Sequence, residues 1–335
     1  VSNKIRIAVD AMGGDSAPES QVLGGIQAAR ERYDEIEVIL VGDESKIAEI
    51  IKSQNCSLDN IKVVNATEVI TMHDSPSDAF KVKPDSSLTV GLKLQPEGKA
   101  DALISAGNTG AVLSASTLML GRIKGVSRPT IGSLFPTESG KTMVFDVGAT
   151  VDCRAKHLLE YAQMGSIYMN YIYGINKPRV GLLSVGEEKS KGNDLTLETY
   201  KLLEESGLNF VGNVEGRDVL KGSIEVIVCD GFIGNVVLKF AESVLDLLRA
   251  KFKQYAAKGI WNKFRVLLAY GTVKKAIEDF DYQWYGGVPL LGVNGVTIIG
   301  HGKSTPLAIK NMIIRAQETV SRKVNERISE AIKKN

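Results

Sequence analysis

Five times along this chain a short apolar run without polar alternation stops abruptly in glycine and small polar residues. The runs lie at Ile5–Asp15, Ala102–Ala111, Met143–Asp152, Val180–Glu188 and Val226–Asn235. Apolar runs of four to six residues predict strands covered on both faces, as in a parallel sheet. Glycine at each exit lets the backbone turn sharply and lets a ligand come close to the main chain. Ligands of open parallel sheets bind outside the carboxyl ends of the strands. The five exits therefore predict one crevice lined by glycine, Asp, Asn and Glu, and an enzyme that uses it.

Between these runs the apolar spacing turns helical. Val22, Leu23, Ile26 and Ala29 mark a helix over 18–30, followed by strands at 37–41 and 61–64 around a short helix at 45–52. Helices are predicted at 86–94, 109–120, 154–173 and 194–205, strands at 179–184 and 210–214, and one long helix from Pro306 to about Lys333. Strand–helix alternation of this kind signals βαβ units. Two apolar runs between Pro129 and Val147 flank Pro136–Gly140 and predict a hairpin that interrupts the alternation. The expectation is one three-layer α/β/α unit spanning residues 1–335 on a largely parallel sheet.

One stretch departs from that scheme. Residues 236–280 predict a helical hairpin, broken at Gly259, whose first helix extends roughly 36 Å. From Arg249 to Ile277 stand eight basic residues and no acidic one, interleaved with Phe252, Ile260, Trp261, Phe264, Leu267 and Leu268. Basic charge beside bulky apolar groups suits an anionic membrane surface. Packing of the apolar face on a second subunit explains the same pattern, and the two roles are compatible.

Composition adds bounds. Of 335 residues 44% are hydrophobic and 24% charged, and the net charge of +2 supplies no global field for nucleic acid. Cys56, Cys153 and Cys229 are scattered, as reduced thiols of a cytoplasmic protein would be. No apolar stretch reaches 18 residues, and Val1–Asp10 enters a strand without a secretory signal.

Several signatures are missing. The triplets Gly140-Lys141-Thr142 and Gly302-Lys303-Ser304 have Phe135 and Thr297 where a P-loop needs glycine. No GxGxxG follows a strand, no GxSxG or HExxH occurs, and three histidines make a His-rich metal site an unattractive expectation. No metal or cofactor is expected. What remains is anion-binding chemistry. Ser105–Gly110 lies between strand and helix, so the N–H groups of Gly107 to Gly110 and the side chains of Asn108 and Thr109 could cradle a phosphate at the helix end; a tight turn capped near Thr109 is the plain alternative. Asp230–Asn235 repeats the construction, with Lys239 one turn further on. Lys189 and Lys191 before Asn193 form a polar loop that also reads as ordinary surface, Arg217 offers a guanidinium for phosphate, and His301 stands in a glycine setting.

Taken in order, Asp10–Pro18, Ser105–Ala111, Asp146–Cys153, Gly186–Gly192, Asn213–Asp218, Cys229–Asn235, Pro289–Gly295 and His301–Ser304 resemble the bacterial phosphate acyltransferase family of phospholipid synthesis. The resemblance implies a sheet of the isopropylmalate-dehydrogenase or phosphotransacetylase type. It implies that inorganic phosphate attacks the thioester of a long-chain acyl–acyl carrier protein and releases acyl phosphate. A homodimer, a peripheral membrane location and a membrane glycerol-3-phosphate acyltransferase that consumes the product are implied with it. Phosphate brings its own nucleophilic oxygen, so the site needs charge neutralisation, alignment and oxyanion donors rather than a serine or cysteine. Gly107, Asn108, Thr109 and Arg217 are the expected phosphate cradle. Lys189, Lys191 and Lys239 are the expected neutralising charges, and Asn193, Asn235 or His301 the oxyanion donors or proton carriers. Ile260, Trp261, Phe264, Leu267 and Leu268 are the expected membrane contacts. Competing readings are a nicotinamide-dependent oxidoreductase or decarboxylase on the same sheet, and a membrane scaffold without chemistry.

Overall fold

A computed structural model describes residues 4–276 and 282–333. The elements are β1 (Ile5–Asp10), α1 (Glu19–Glu31), β2 (Ile36–Gly42), α2 (Glu44–Ser53), β3 (Ile61–Asn65), α3 (Ala79–Val82), α4 (Ser87–Lys93), β4 (Ala102–Ser105) and α5 (Thr109–Met119). Next come β5 (Thr130–Thr137), β6 (Gly140–Phe145), α6 (Ala155–Tyr173), β7 (Val180–Leu183), α7 (Asp194–Glu205), β8 (Phe210–Val214) and β9 (Val226–Val228). The chain continues through α8 (Gly231–Ala257), α9 (Ile260–Ala276), β10 (Val288–Leu291), β11 (Val296–Ile299), α10 (Pro306–Ser321) and α11 (Val324–Lys333).

All the strands join one sheet in the order β3-β2-β1-β4-β11-β10-β5-β6-β9-β7-β8. Strands β3, β2, β1, β4 and β11 are mutually parallel, and so are β6, β9, β7 and β8. Between the two blocks, β10 runs antiparallel to both β11 and β5, and β5 runs antiparallel to β6. Three reversals in succession set the blocks in opposite senses. The expected single carboxyl edge is therefore corrected: β1 and β4 leave the sheet in one direction, and β6, β7 and β9 in the other.

Alternation along the strands divides the interior. Ala8, Leu103, Val144 and Ile227 point to one face, where they pack with α4, α5 and the start of α8. Ile7, Val9 and Ile104 point to the other under α1 and α10, while Met143, Phe145 and Val228 meet α6 and α11 there. Parallel strands need crossover helices, which cover the sheet; antiparallel neighbours need only short turns. At the β10–β5–β6 joint the connections are the turns at 138–139 and 292–295; α6 covers β6 on one face, and on the other face a gap is left between α5 and α8.

Three other expectations are revised. The long final helix breaks at Arg322–Lys323, where Lys323 has φ +52°. The first hairpin helix starts at Gly231, five residues before its expected beginning, because Asp230 caps it through Ile233 N at 2.9 Å. Strand β10 had no counterpart among the expected elements; four residues containing Pro289 carry too little pattern. Residues 277–280, the expected end of the hairpin, lie outside the described residues.

Candidate active site

The gap between α5 and α8 is a groove of about 380 Å³. Its floor comes from Ile131 and Ser133 of β5, which share a face by alternation, and from the register partners Val288 and Ile299. One wall is the start of α5, with Thr109, Gly110 and Leu113; the other is α8, with Asn235, Leu238, Lys239 and Glu242. Gly148 enters from the β6 exit and His301 from the β11 exit. Loops that leave opposite ends of the sheet thus meet over its middle.

Each wall is set by local chemistry. Asn108 caps α5, its Oδ1 accepting from Ala111 N at 3.1 Å, and its amide donates to the carbonyls of Thr71 and Asp74, each at 3.3 Å. Gly107 N donates to Ser105 Oγ at 3.1 Å. The cradle expected from Gly107 and Asn108 is revised accordingly: these groups already serve the loop. The N–H groups of Thr109 and Gly110, which the first turn leaves without helical partners, remain directed along the α5 axis beside the groove.

On the opposite wall, Lys239 pairs with Glu242 at 2.9 Å, one helical turn apart. Asn235 is exposed on the first turns of α8, and a β-carbon at Gly148 would lie 3.7 Å from its side chain. His301 Nδ1 accepts from Lys303 N at 3.1 Å, so the neutral ring carries its proton on Nε2. An arriving dianion would compete with Glu242 for the Lys239 ammonium and find α5 N–H groups opposite.

Two buried carboxylates sit behind the walls. Asp10 accepts from Ser87 Oγ at 2.5 Å and Ser105 Oγ at 2.6 Å, and burial raises its pKa against these hydrogen bonds. Asp146 is pushed up to about 6 by burial, opposed by backbone donors that include Ala149 N at 3.0 Å and Thr150 N at 2.7 Å. Desolvation dominates in both. Cys229 is buried and its thiol is raised well above the usual range by desolvation, which suits an inert core residue.

Of the expected site residues, the groove gathers Thr109, Asn235, Lys239 and His301. Lys189, Lys191, Asn193 and Arg217 are not among its lining residues; they follow β7 and β8 at the outer end of the sheet. Arg217 is paired with Glu187 and Glu215, both at 3.0 Å, and Lys189 with Glu204 at 2.6 Å. Asn193 caps α7, accepting from Thr196 N at 3.0 Å. The groove also brings in Ser133, Glu242 and Tyr285, which sequence reasoning passed over. For Ser133 the available signal was a lone hydroxyl sharing the Ile131 face of a hairpin strand.

Among the described residues no group of three or more His, Cys, Asp or Glu side chains could hold a metal ion. Comparison with known proteins then decides the family. Residues 5–327 match the family model described as "Fatty acid synthesis protein". The phosphate acyltransferase of Pelobacter propionicus is 47% identical over 331 residues, covering 99% of this chain and 95% of that one. The chain belongs to the phosphate acyltransferase family. A second member, from Halothermothrix orenii, is 46% identical and covers 98% of this chain and 99% of its own length. Phosphate acyltransferases are enzymes, and the glycine-rich strand exits belong to a transferase. Among solved structures, a phosphotransacetylase from Streptococcus pyogenes superposes with a TM-score of 0.62 at 16% identity, covering 96% of this chain and 95% of that one. The EutD phosphotransacetylase from Staphylococcus aureus gives 0.61 at 16% identity, covering 95% and 94%. At that identity the likeness establishes the fold.

Proposed function

We propose that the groove between α5 and α8 is where inorganic phosphate attacks the thioester of a long-chain acyl–acyl carrier protein. Support comes from one observation above others: groups suited to an anion, an oxyanion and a proton converge there from both halves of the sheet. Thr109 and Gly110 N–H groups and Lys239 hold the phosphate. A phosphate oxygen adds to the carbonyl carbon, and the Asn235 amide donates to the oxygen on which charge develops. Collapse breaks the carbon–sulfur bond, giving acyl phosphate and a thiolate that takes up the proton given up by the attacking hydrogen phosphate, while His301 Nε2–H hydrogen-bonds to the departing sulfur. Leu113, Leu238 and Val288 receive the start of the acyl chain. No cofactor enters these steps.

The same reading gives the hairpin its role. No described helix is long and apolar enough to cross a membrane. Helix α8 extends about 40 Å, and near the turn Ile260 is 78% and Trp261 75% exposed, with Phe264, Leu267 and Leu268 exposed beside them. Lys251, Lys253, Lys258, Lys263 and Arg265 are exposed as well. The tip touches an anionic membrane surface peripherally from the cytoplasm, the exposed apolar face of α8 pairs with a second copy in a homodimer, and a membrane acyltransferase acting on glycerol 3-phosphate consumes the product. Family membership favours this transfer over the oxidoreductase and scaffold readings.

Acyl–acyl carrier protein incubated with and without phosphate tests the reaction, with hydroxylamine trapping the acyl phosphate. Thiol release that requires phosphate and matches the trapped product is expected. Equal thiol release without phosphate would overturn it.

A further inference from the structure

The first glycine-rich exit, Asp10–Asp15, does not line the groove. It lies behind it, wedged between the two loops that leave β4 and β11. Asp10, 3% exposed, accepts hydrogen bonds from the hydroxyls of Ser87 and Ser105. With its proton committed, Ser105 Oγ can turn only lone pairs to its neighbours, and it accepts Gly107 N. The backbones of the two loops also touch: a β-carbon at Gly13 would collide with Asp10, and one at Gly107 would come 3.4 Å from Gly13 Cα. At the far end of the motif Asp15 N donates to Gly302 O at 2.8 Å, next to His301. Gln21 Nε2 fixes the middle by donating to Gly13 O at 2.6 Å.

We propose that Asp10 is a positioning residue: through Ser105 and the Asp10–Asp15 loop it locks the Ser105–Thr109 turn and the His301–Ser304 turn into one rigid lip. The α5 N–H groups and the His301 ring then keep a fixed separation as phosphate binds. Asp10 touches neither phosphate nor acyl group. The phosphate part of this proposal rests on the reading of the groove given above.

Asp10→Asn and Ser105→Ala test it beside Glu160→Gln, a buried carboxylate that instead holds Ser127. In the first two variants, amide hydrogen exchange should quicken at 105–110 and also at 301–304. The KM for phosphate should rise about tenfold, with the KM for acyl donor within about twofold of the parent. Glu160→Gln should show neither change. If Asp10→Asn does not fold, Ser105→Ala carries the same two readouts. Faster exchange confined to 10–17, or phosphate and donor KM rising together, would overturn the brace. A parent enzyme without phosphate-dependent turnover would sink the groove reading, while the exchange measurement would still decide the brace.

Discussion

The two walls of the groove are built alike at their base and differ in where their helices go. Each rests on a buried aspartate behind a glycine-rich exit: Asp10 under the α5 turn, Asp146 under the start of α8. Helix α5 then buries Ala111, Val112, Ala115 and Ser116 in the core. Helix α8 keeps only its first turns against the sheet and runs outward, exposing Phe240, Leu247 and Phe252. A wall anchored along its length can fix the phosphate end of a reaction. A wall that leaves the body carries its side chains from the site to whatever lies outside, as the proposed long acyl chain and membrane-bound consumer would require.

The contrast is broken most severely at the base of α8. A β-carbon at Gly234 would collide with the Asp146 carbonyl, which is backbone and cannot swing aside. Gly234→Ala should therefore displace α8 from the Asp146 loop, lowering turnover at least about a hundredfold and stability by about 1–3 kcal/mol. Initial rates and thermal melts read the two effects. Unchanged kinetics would mean that the α8 wall is not part of the site.

The acidity of the aspartate under α8 gives the next test. The Asp146 value of about 6 stands above the 3.8 of an ordinary Asp, so folding favours its protonated form. Its stabilising contribution is complete below about pH 4 and is lost as pH rises through 6. Relative to Asp146→Asn, the parent should lose on the order of 3 kcal/mol of stability between pH 4 and 7. Denaturant titrations across that range check this, and a difference independent of pH would contradict it. A smaller effect on catalysis is expected past the turn, at the start of α9: Trp261→Asp should abolish binding to anionic vesicles yet leave turnover of soluble substrate within about twofold. Vesicle flotation and initial rates are the measurements.

Much of this was legible in the residues. Continuous apolar runs located the strands, Pro136–Gly140 announced the hairpin, and Gly259 marked the break in the excursion. The sense of the second parallel block was not legible, because it depends on β10, whose four residues are specified by pairing on both sides rather than by pattern. That single strand decides which exits meet. Thr109, Asn235, Lys239 and His301 line one groove, whereas Arg217, grouped with them on chemical type alone, lies outside it. Its guanidinium is held by Glu187 and Glu215, partners distant enough in sequence or common enough in type to carry no signal. Asn108 shows the reverse case: the residue was noticed for its position, and its amide turns out to serve the backbone.

The most direct measurement compares Lys239→Ala and Arg217→Ala in phosphate-dependent acyl transfer. If the groove is the site, kcat/KM for phosphate falls at least about tenfold in the first and stays within about threefold in the second. The opposite order, with Arg217 essential and Lys239 dispensable, would move the chemistry to the β7–β8 end of the sheet and contradict the account.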